Sequence, residues 1–505
     1  MHDRWTELDR RARELNDLDK VLGLLGWDEE TYAPDRARPG RGRQNATLEA
    51  IRHQRLVEPA LGELVRTFAD DTDELRRMLA RRLGRRRARA LAVSERLVRA
   101  FAEARSAALA SWQEAKRASR FELFAPHLER LIELSKERAD ALCTSGATPH
   151  AVLRYDALLD ENEPDMTAGR LVPLFAELRA GLVALLTRLR GAPRTLDASA
   201  LRRPMALPAQ EALTLQIIGA LGFDLTRGRQ DRSAHPFSQT CGEDDVRLTT
   251  RYVATDPVPA LYASIHEAGH GMYEQGFDRA HVGTELANAP SMGLHESQSR
   301  LWENQVARSR PFCTFLLPRL QQAAPGTFDD VDVDALHRAI NVVRPDLIRV
   351  EADEVTYNLH VMLRFELERA LFAGDLSVAD VPAAWNARMV SDLGVAPPDD
   401  ARGCLQDIHW ATGAFGYFPS YTLGNCWSAQ LMSAFERAHP DASAQLSRGE
   451  FGVLLEWLRT HVHRRGDLES AEATVLRATG EVLSPKPLLA HLEARFGALY
   501  GLDAG

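Results

Sequence analysis

Two histidines four residues apart, with a glutamate directly after the first, form the strongest chemical signal in the sequence: SIHEAGHGMYEQG, residues 264–276. A helix turns about 100° per residue, so His266 and His270 fall within about 40° of each other on one face. Each can aim a ring nitrogen at the same ion. Glu267 is rotated away from them and is placed to reach a water beside that ion. This is the HExxH arrangement, in which the glutamate is the general base. A catalytic zinc also needs a third protein ligand and an open position. The metzincin continuation would put glycine and then histidine three and six residues after the second histidine, but Tyr273 and Gly276 stand there. The third ligand must come from another segment, and GLHESQSRLWENQ (293–305) offers His295, Glu296 and Glu303. Glu296 fits best, as part of a His2Glu set of the thermolysin kind. Glu274 lies about 12 Å along the axis from His266, too far to share the ion, and reads as a carboxylate on the helix face or behind the ligands.

Such a site needs rigid elements behind it, and helical periodicity dominates the chain. TELDRRARELNDLDKVLGLLGW places Leu8, Leu15, Leu18, Leu22 and Leu25 on one face. Residues 73–116 and 168–190 are rich in strong helix formers. The one strand-like stretch, DDVRLTTRYVAT (244–255), lies just upstream of the HExxH helix, which predicts a small sheet beside it. Breaks are predicted at 33–43, 144–151, 190–204 and 394–403. No internal repeat is present. The expected fold is mainly α: a single large helical domain over 1–505, with an N-terminal helical lobe spanning roughly 1–150. The basic run RRLGRRRARA (81–90) reads as a solvated helix face.

The chain has 505 residues and a net charge of −9, a poor balance for binding nucleic acid. Its five cysteines, Cys143, Cys241, Cys313, Cys404 and Cys426, are scattered without a CxxC pair. That argues against a disulfide framework or a thiolate metal site and fits a reducing compartment. The charged N-terminus lacks the apolar core of a signal peptide. No apolar stretch approaches the roughly 20 residues that span a bilayer. The expectation is a cytoplasmic protein without membrane association.

A series of further motifs runs through the chain in order: HPF (235–237), DVRLT (245–249), HEAGH (266–270), HESQSR (295–300), IRVEAD (348–353), GCLQDIHW (403–410) and GYFPSY (416–421). LLGWDEETYAP (24–34) and YDALLDENEPDM (155–166) join them. Together they closely resemble the thermostable carboxypeptidase Taq family, the M32 metallocarboxypeptidases. The resemblance implies a helical fold with a deep active-site groove, similar to neurolysin-like peptidases, and a homodimer. It implies one divalent metal per chain, usually zinc and sometimes cobalt. It implies hydrolysis of the last peptide bond of substrates with a free C-terminus, releasing single residues with broad specificity but poorly at proline. Carried over by position, the ligands are His266, His270 and Glu296, and Glu267 is the base.

Within that reading the oxyanion needs a second donor beside the metal, and His409 and Tyr421 are the candidates. A free carboxylate calls for a guanidinium clamp. Arg349 leads there; Arg247 is second and more readily braces the site wall. His235 either touches substrate or orders the turn before Pro236. An oligopeptidase that cuts internally would share the HExxH chemistry. A helical scaffold with a decayed site would not keep the metal set intact.

Overall fold

The computed structural model describes residues 2–502 and is mainly helical, with one three-stranded sheet among the described residues. Helices α1 (His2–Thr31), α2 (Arg38–Val57), α3 (Pro59–Phe68) and α4 (Glu74–Ala92) build a small core of their own around Leu8, Leu15, Leu61, Phe68 and Leu83. Leu286 and Leu468 reach into it from the rest of the chain. The predicted face of α1 is only partly buried: Leu8 and Leu15 are enclosed, while Leu18, Leu22 and Leu25 are half-buried. Its second half instead lies against the sheet, where Gly23 faces the Gln239 side chain. Helix α2 begins inside the expected break at 33–43, because Pro39 sits in its first turn, where a missing N–H costs nothing.

The helix-forming run 73–116 folds as two helices. Ser94 accepts the Leu97 N–H at 3.3 Å and starts α5 (Glu95–Ala118) after a break at Val93. The basic run 81–90 is not a solvated face. Arg82 pairs with Asp467, Arg85 and Arg89 with Asp160, and Arg86 with Glu285 and Asp19. These arginines fasten the N-terminal helices to the body.

The large core begins with α5, α6 (Ala125–Thr144), α7 (Arg154–Leu159), α8 (Ala168–Arg190) and α9 (Leu207–Leu221). Then come β1 (Gly228–Arg232), β2 (Ser238–Gly242) and β3 (Asp245–Thr250), in the order β1-β3-β2. Strand β3 pairs parallel with β1 and antiparallel with β2. It ends at Thr250, short of the expected 255, and Tyr252 lies outside it. GRQDR and SQTCG carry no apolar alternation, so β1 and β2 gave no strand signal.

Helix α10 (Val258–Glu274) packs on β3 through Gly271, which meets Leu248 and Phe223. Helix α11 (Met292–Arg300) follows and runs into a widened π turn, Leu301–Val306. The remainder, α12 (Arg310–Ala323), α13 (Val333–Ala339), α14 (Tyr357–Ala373), α15 (Val381–Arg388), α16 (Pro419–Ala438), α17 (Ala442–Ser447), α18 (Gly452–His461), α19 (Ala471–Thr479) and α20 (Lys486–Tyr500), wraps this centre. None of the described helices is long and apolar enough to cross a membrane.

Two glycines let the central helices touch. A Cβ on Gly269 of α10 would lie 2.6 Å from the Ser299 Cα of α11, and one on Gly424 of α16 would lie 2.6 Å from Glu296 Cγ. Because the Gly269 neighbour is backbone, no rotamer change relieves the contact. Gly269→Ala is therefore expected to cost about 1–3 kcal/mol by overpacking and to push His270 away from Glu296. A thermal melt and a metal titration check this; a variant with unchanged melting and metal affinity would contradict it.

Candidate metal centre

Helix α10 presents His266 and His270 on one side, and α11 presents Glu296 opposite them. Both histidine Nε2 atoms lie 3.5 Å from Glu296 Oε2. Each of the three offers one ligand atom, all within 4.8 Å of one another. The other ring nitrogens are occupied: His266 Nδ1 meets Glu303 Oε2 at 2.8 Å, and His270 Nδ1 meets the His295 carbonyl at 3.1 Å. Those contacts point both Nε2 atoms at Glu296, and once the rings are neutral they favour the Nδ1–H tautomers, whose Nε2 lone pairs suit an ion. The donor set fits a divalent ion that prefers nitrogen and oxygen ligands.

Of the alternatives for a third donor, Glu303 sits behind His266, and His295 Nε2 is held by Glu274 at 2.9 Å. The His295 ring stacks on His270 at 4.2 Å. Glu274 thus stands behind the histidines rather than among the candidate ligands. Glu303 lies in the π turn, one of the geometries that recur at functional sites.

The charges here are tightly balanced. Burial would protonate Glu296, but Arg300 foremost, with His266 and His270, holds it well below the usual carboxylate range. Arg300 Nε donates to Glu296 Oε1 at 2.7 Å, and its Nη1 donates to Glu303 Oε2 at 3.2 Å. Burial pushes His266 down, but Glu296 and Glu303 outweigh it and raise it to about 9. His270 is lowered to about 3 by burial, with the neighbouring His295 adding to the effect. Glu267 is raised to about 7 by burial, which His266 opposes and Glu296 reinforces.

A second cluster adjoins the first. Arg349, 4% exposed, donates Nε at 3.1 Å and Nη2 at 2.8 Å to Asp407 Oδ1, and Nη1 at 2.9 Å to the Tyr357 hydroxyl. The fully buried Arg364 donates Nε to the other oxygen of Asp407 at 2.6 Å. His409 Nε2 lies 3.1 Å from the Tyr421 hydroxyl, and the Arg349 guanidinium sits 4.9 Å over the Tyr421 ring. Burial lowers His409 to about 4 despite the opposing charge of Asp407, so its ring is neutral near pH 7. Burial foremost, with Tyr417 next, raises Tyr421 well above the usual phenol value, and Glu296 adds a smaller push in the same direction.

Two expected residues make none of these contacts. Arg247 forms a bidentate pair with Asp245 and stacks at 4.3 Å over Trp27 of α1. His235 is exposed, and its carbonyl accepts from Ser233. Arg300, Tyr357, Arg364 and Asp407 were not singled out from the sequence. Arg300 and Glu303 did carry a signal, because they follow Glu296 by four and seven residues and so share its helix face. Asp407 stands two residues before His409 in a motif already noted.

A family model described as carboxypeptidase Taq (M32) metallopeptidase matches residues 7–496. The chain is 42% identical over 498 residues to thermostable carboxypeptidase 1 of Thermus thermophilus, covering 97% of each protein. It is 36% identical over 494 residues to carboxypeptidase 1 of Bacillus subtilis, again covering 97% of each. Among solved structures, the M32 carboxypeptidase from Deinococcus radiodurans R1 matches with a TM-score of 0.95 at 38% identity, covering 99% of this chain and 100% of that one. With the HExxH helix, the opposed glutamate and a match along nearly the full length, the chain belongs to the M32 carboxypeptidase Taq family and is a metallocarboxypeptidase.

Proposed function

We propose that the protein removes single residues from the free C-terminus of peptides, with His266, His270 and Glu296 holding one divalent ion, zinc or alternatively cobalt. The observation that carries the exopeptidase reading is the Arg349 cluster beside the candidate metal centre. When bound, the ion supplies a Lewis acid for the scissile carbonyl and for the attacking water. Glu267 takes the proton from that water and delivers it to the leaving amine. Burial supports this role, since it makes the carboxylate a stronger base than in solvent. Tyr421 and the neutral His409 donate toward the oxygen on which negative charge develops.

Arg349 anchors the terminal carboxylate. Asp407 and Tyr357 engage three of its five N–H groups, which leaves one on each terminal nitrogen for a bidentate clamp. Arg349 and Arg364 lean on the single carboxylate of Asp407, so these three groups retain one positive charge. Arg247 braces the sheet against α1. A clamp that grips the main-chain carboxylate reads no side chain, which supports broad specificity. Poor release at proline, a homodimer, and one catalytic unit over 1–505 with an N-terminal lobe to about residue 150 follow from the family resemblance. Five unpaired cysteines support a cytoplasmic location.

Glu267→Gln is expected to lower kcat by at least 10²–10⁴-fold while the purified protein keeps its metal; loss of metal would mean that base and ligand are misassigned. Arg349→Ala should abolish the preference for free over amidated C-termini, read by mass spectrometry of a paired peptide set. Equal cleavage of both peptides by the parent enzyme would instead favour internal cutting. Glu303→Gln removes the carboxylate behind His266 and should weaken metal affinity about 10–100-fold, measured by competition with a chelator.

A further inference from the structure

Tyr357 opens α14 and is 5% exposed. Its hydroxyl oxygen accepts from Arg349 Nη1 at 2.9 Å. Its ring carries the Arg300 guanidinium 4.3 Å from the centroid. Arg300 in turn donates to Glu296 at 2.7 Å. One side chain therefore stands between the arginine that orients the candidate metal ligand and the arginine assigned to the substrate carboxylate. Two buried guanidinium groups at close range repel each other. Tyrosine gives each a different acceptor: the negative face of the ring to Arg300 and an oxygen lone pair to Arg349. The Tyr421 ring packs edge-on at 6.2 Å and 88°, holding the Tyr357 ring in place.

The Tyr357 hydroxyl proton has no acceptor among the described residues, although the group is buried beside Arg349. A buried donor left without an acceptor is costly. A carboxylate seated on the two remaining Arg349 N–H groups would lie next to that hydroxyl and accept its proton. We propose that Tyr357 is a specificity-determining residue: it positions Arg349 against the Arg300–Glu296 pair and donates its own hydroxyl proton to the terminal carboxylate of the peptide. This rests on the assignment of Arg349 as the carboxylate anchor.

Tyr357→Phe removes one oxygen and keeps the ring under Arg300. With the metal-loaded enzyme and a blocked dipeptide bearing a free C-terminus, KM is expected to rise about tenfold or more, the range for a lost charge-assisted hydrogen bond. The change in kcat should stay within about threefold, and the preference for free over amidated peptide should fall by the same factor as KM rises. Metal content should match the parent. Tyr357→Leu, which also removes the π face, should in addition accelerate metal loss to a chelator. In the Arg349→Ala background, Tyr357→Phe should add little, because the two act on one carboxylate. An unchanged KM and an unchanged free-over-amide preference in Tyr357→Phe would overturn the proposal, and so would a loss confined to kcat or fully additive effects. If Arg349→Ala itself keeps the preference for free C-termini, the carboxypeptidase assignment of Arg349 fails first, and the two failures are told apart.

Discussion

The site depends on keeping one buried carboxylate ionised. Glu296 is 7% exposed, and burial on that scale favours the protonated acid. A protonated Glu296 would coordinate a cation poorly and would lose its charge-assisted bond from Arg300. Arg300, one helical turn later, prevents this by donating directly to Oε1. The same guanidinium reaches Glu303, which holds His266. The spacing i, i+4, i+7 along α11 and its π turn thus sets the protonation of one candidate ligand and the orientation of another.

The rest of the fold serves to bring α10, α11 and α16 close enough for those contacts. Gly269 and Gly424 let backbone meet backbone or side-chain stem, and larger residues would hold the donors apart. The start of α11 is fixed from a distance: Glu163, fully enclosed, accepts the Gly293 N–H at 2.5 Å, and the Asn162 carbonyl accepts from Met292 at 2.9 Å. Nearby, Asp160 takes Arg85 and Arg89 from α4, and the Tyr155 hydroxyl donates to Glu368 at 2.9 Å. The segment YDALLDENEPDM therefore joins the N-terminal helices, the ligand helix and α14. Asp160, which anchors α4, stands only three residues before Glu163, which anchors α11, so the two attachments share one short stretch of chain.

How much of this was legible follows from how local each signal is. HExxH is contained in five residues of one helix, so its geometry follows from helical pitch alone. Glu296 was legible as one of three candidates, and choosing it needed either the family pattern or coordinates. Glu274 was legible as a carboxylate behind the ligands, but its partner His295 was not, and Glu303 read as an alternative ligand rather than as the group behind His266, because each depends on which face of a second helix meets the first. The basic run 81–90 misled for the same reason: charges on a helix look solvated until acids from residues 160, 285 and 467 arrive in space. Strands β1 and β2 are half-buried and polar, so pairing with β3 decides them rather than their own pattern. Tyr357 and Asp407 are ordinary residue types whose importance lies entirely in their partners.

On the proposed reading, charge bookkeeping explains why two clusters suffice. Around the candidate metal centre, Glu296, Glu303 and the base Glu267 carry three negative charges against two on Arg300 and Arg308, which pair with Glu296 and Glu303, and both histidines are neutral when they coordinate. A divalent ion there leaves one net positive charge facing the carbonyl to be attacked. In the neighbouring cluster, Arg349 and Arg364 against Asp407 also leave one positive charge. A peptide end offers a fixed carboxylate and, during reaction, an oxyanion, which are one negative charge for each centre. An amidated or internal peptide offers only the second, so the net positive charge of the Arg349–Arg364–Asp407 group stays uncompensated in a buried place, where such a charge is most expensive. Discrimination against the wrong substrate then arises from the cost of that unmet charge as much as from the gain of meeting it.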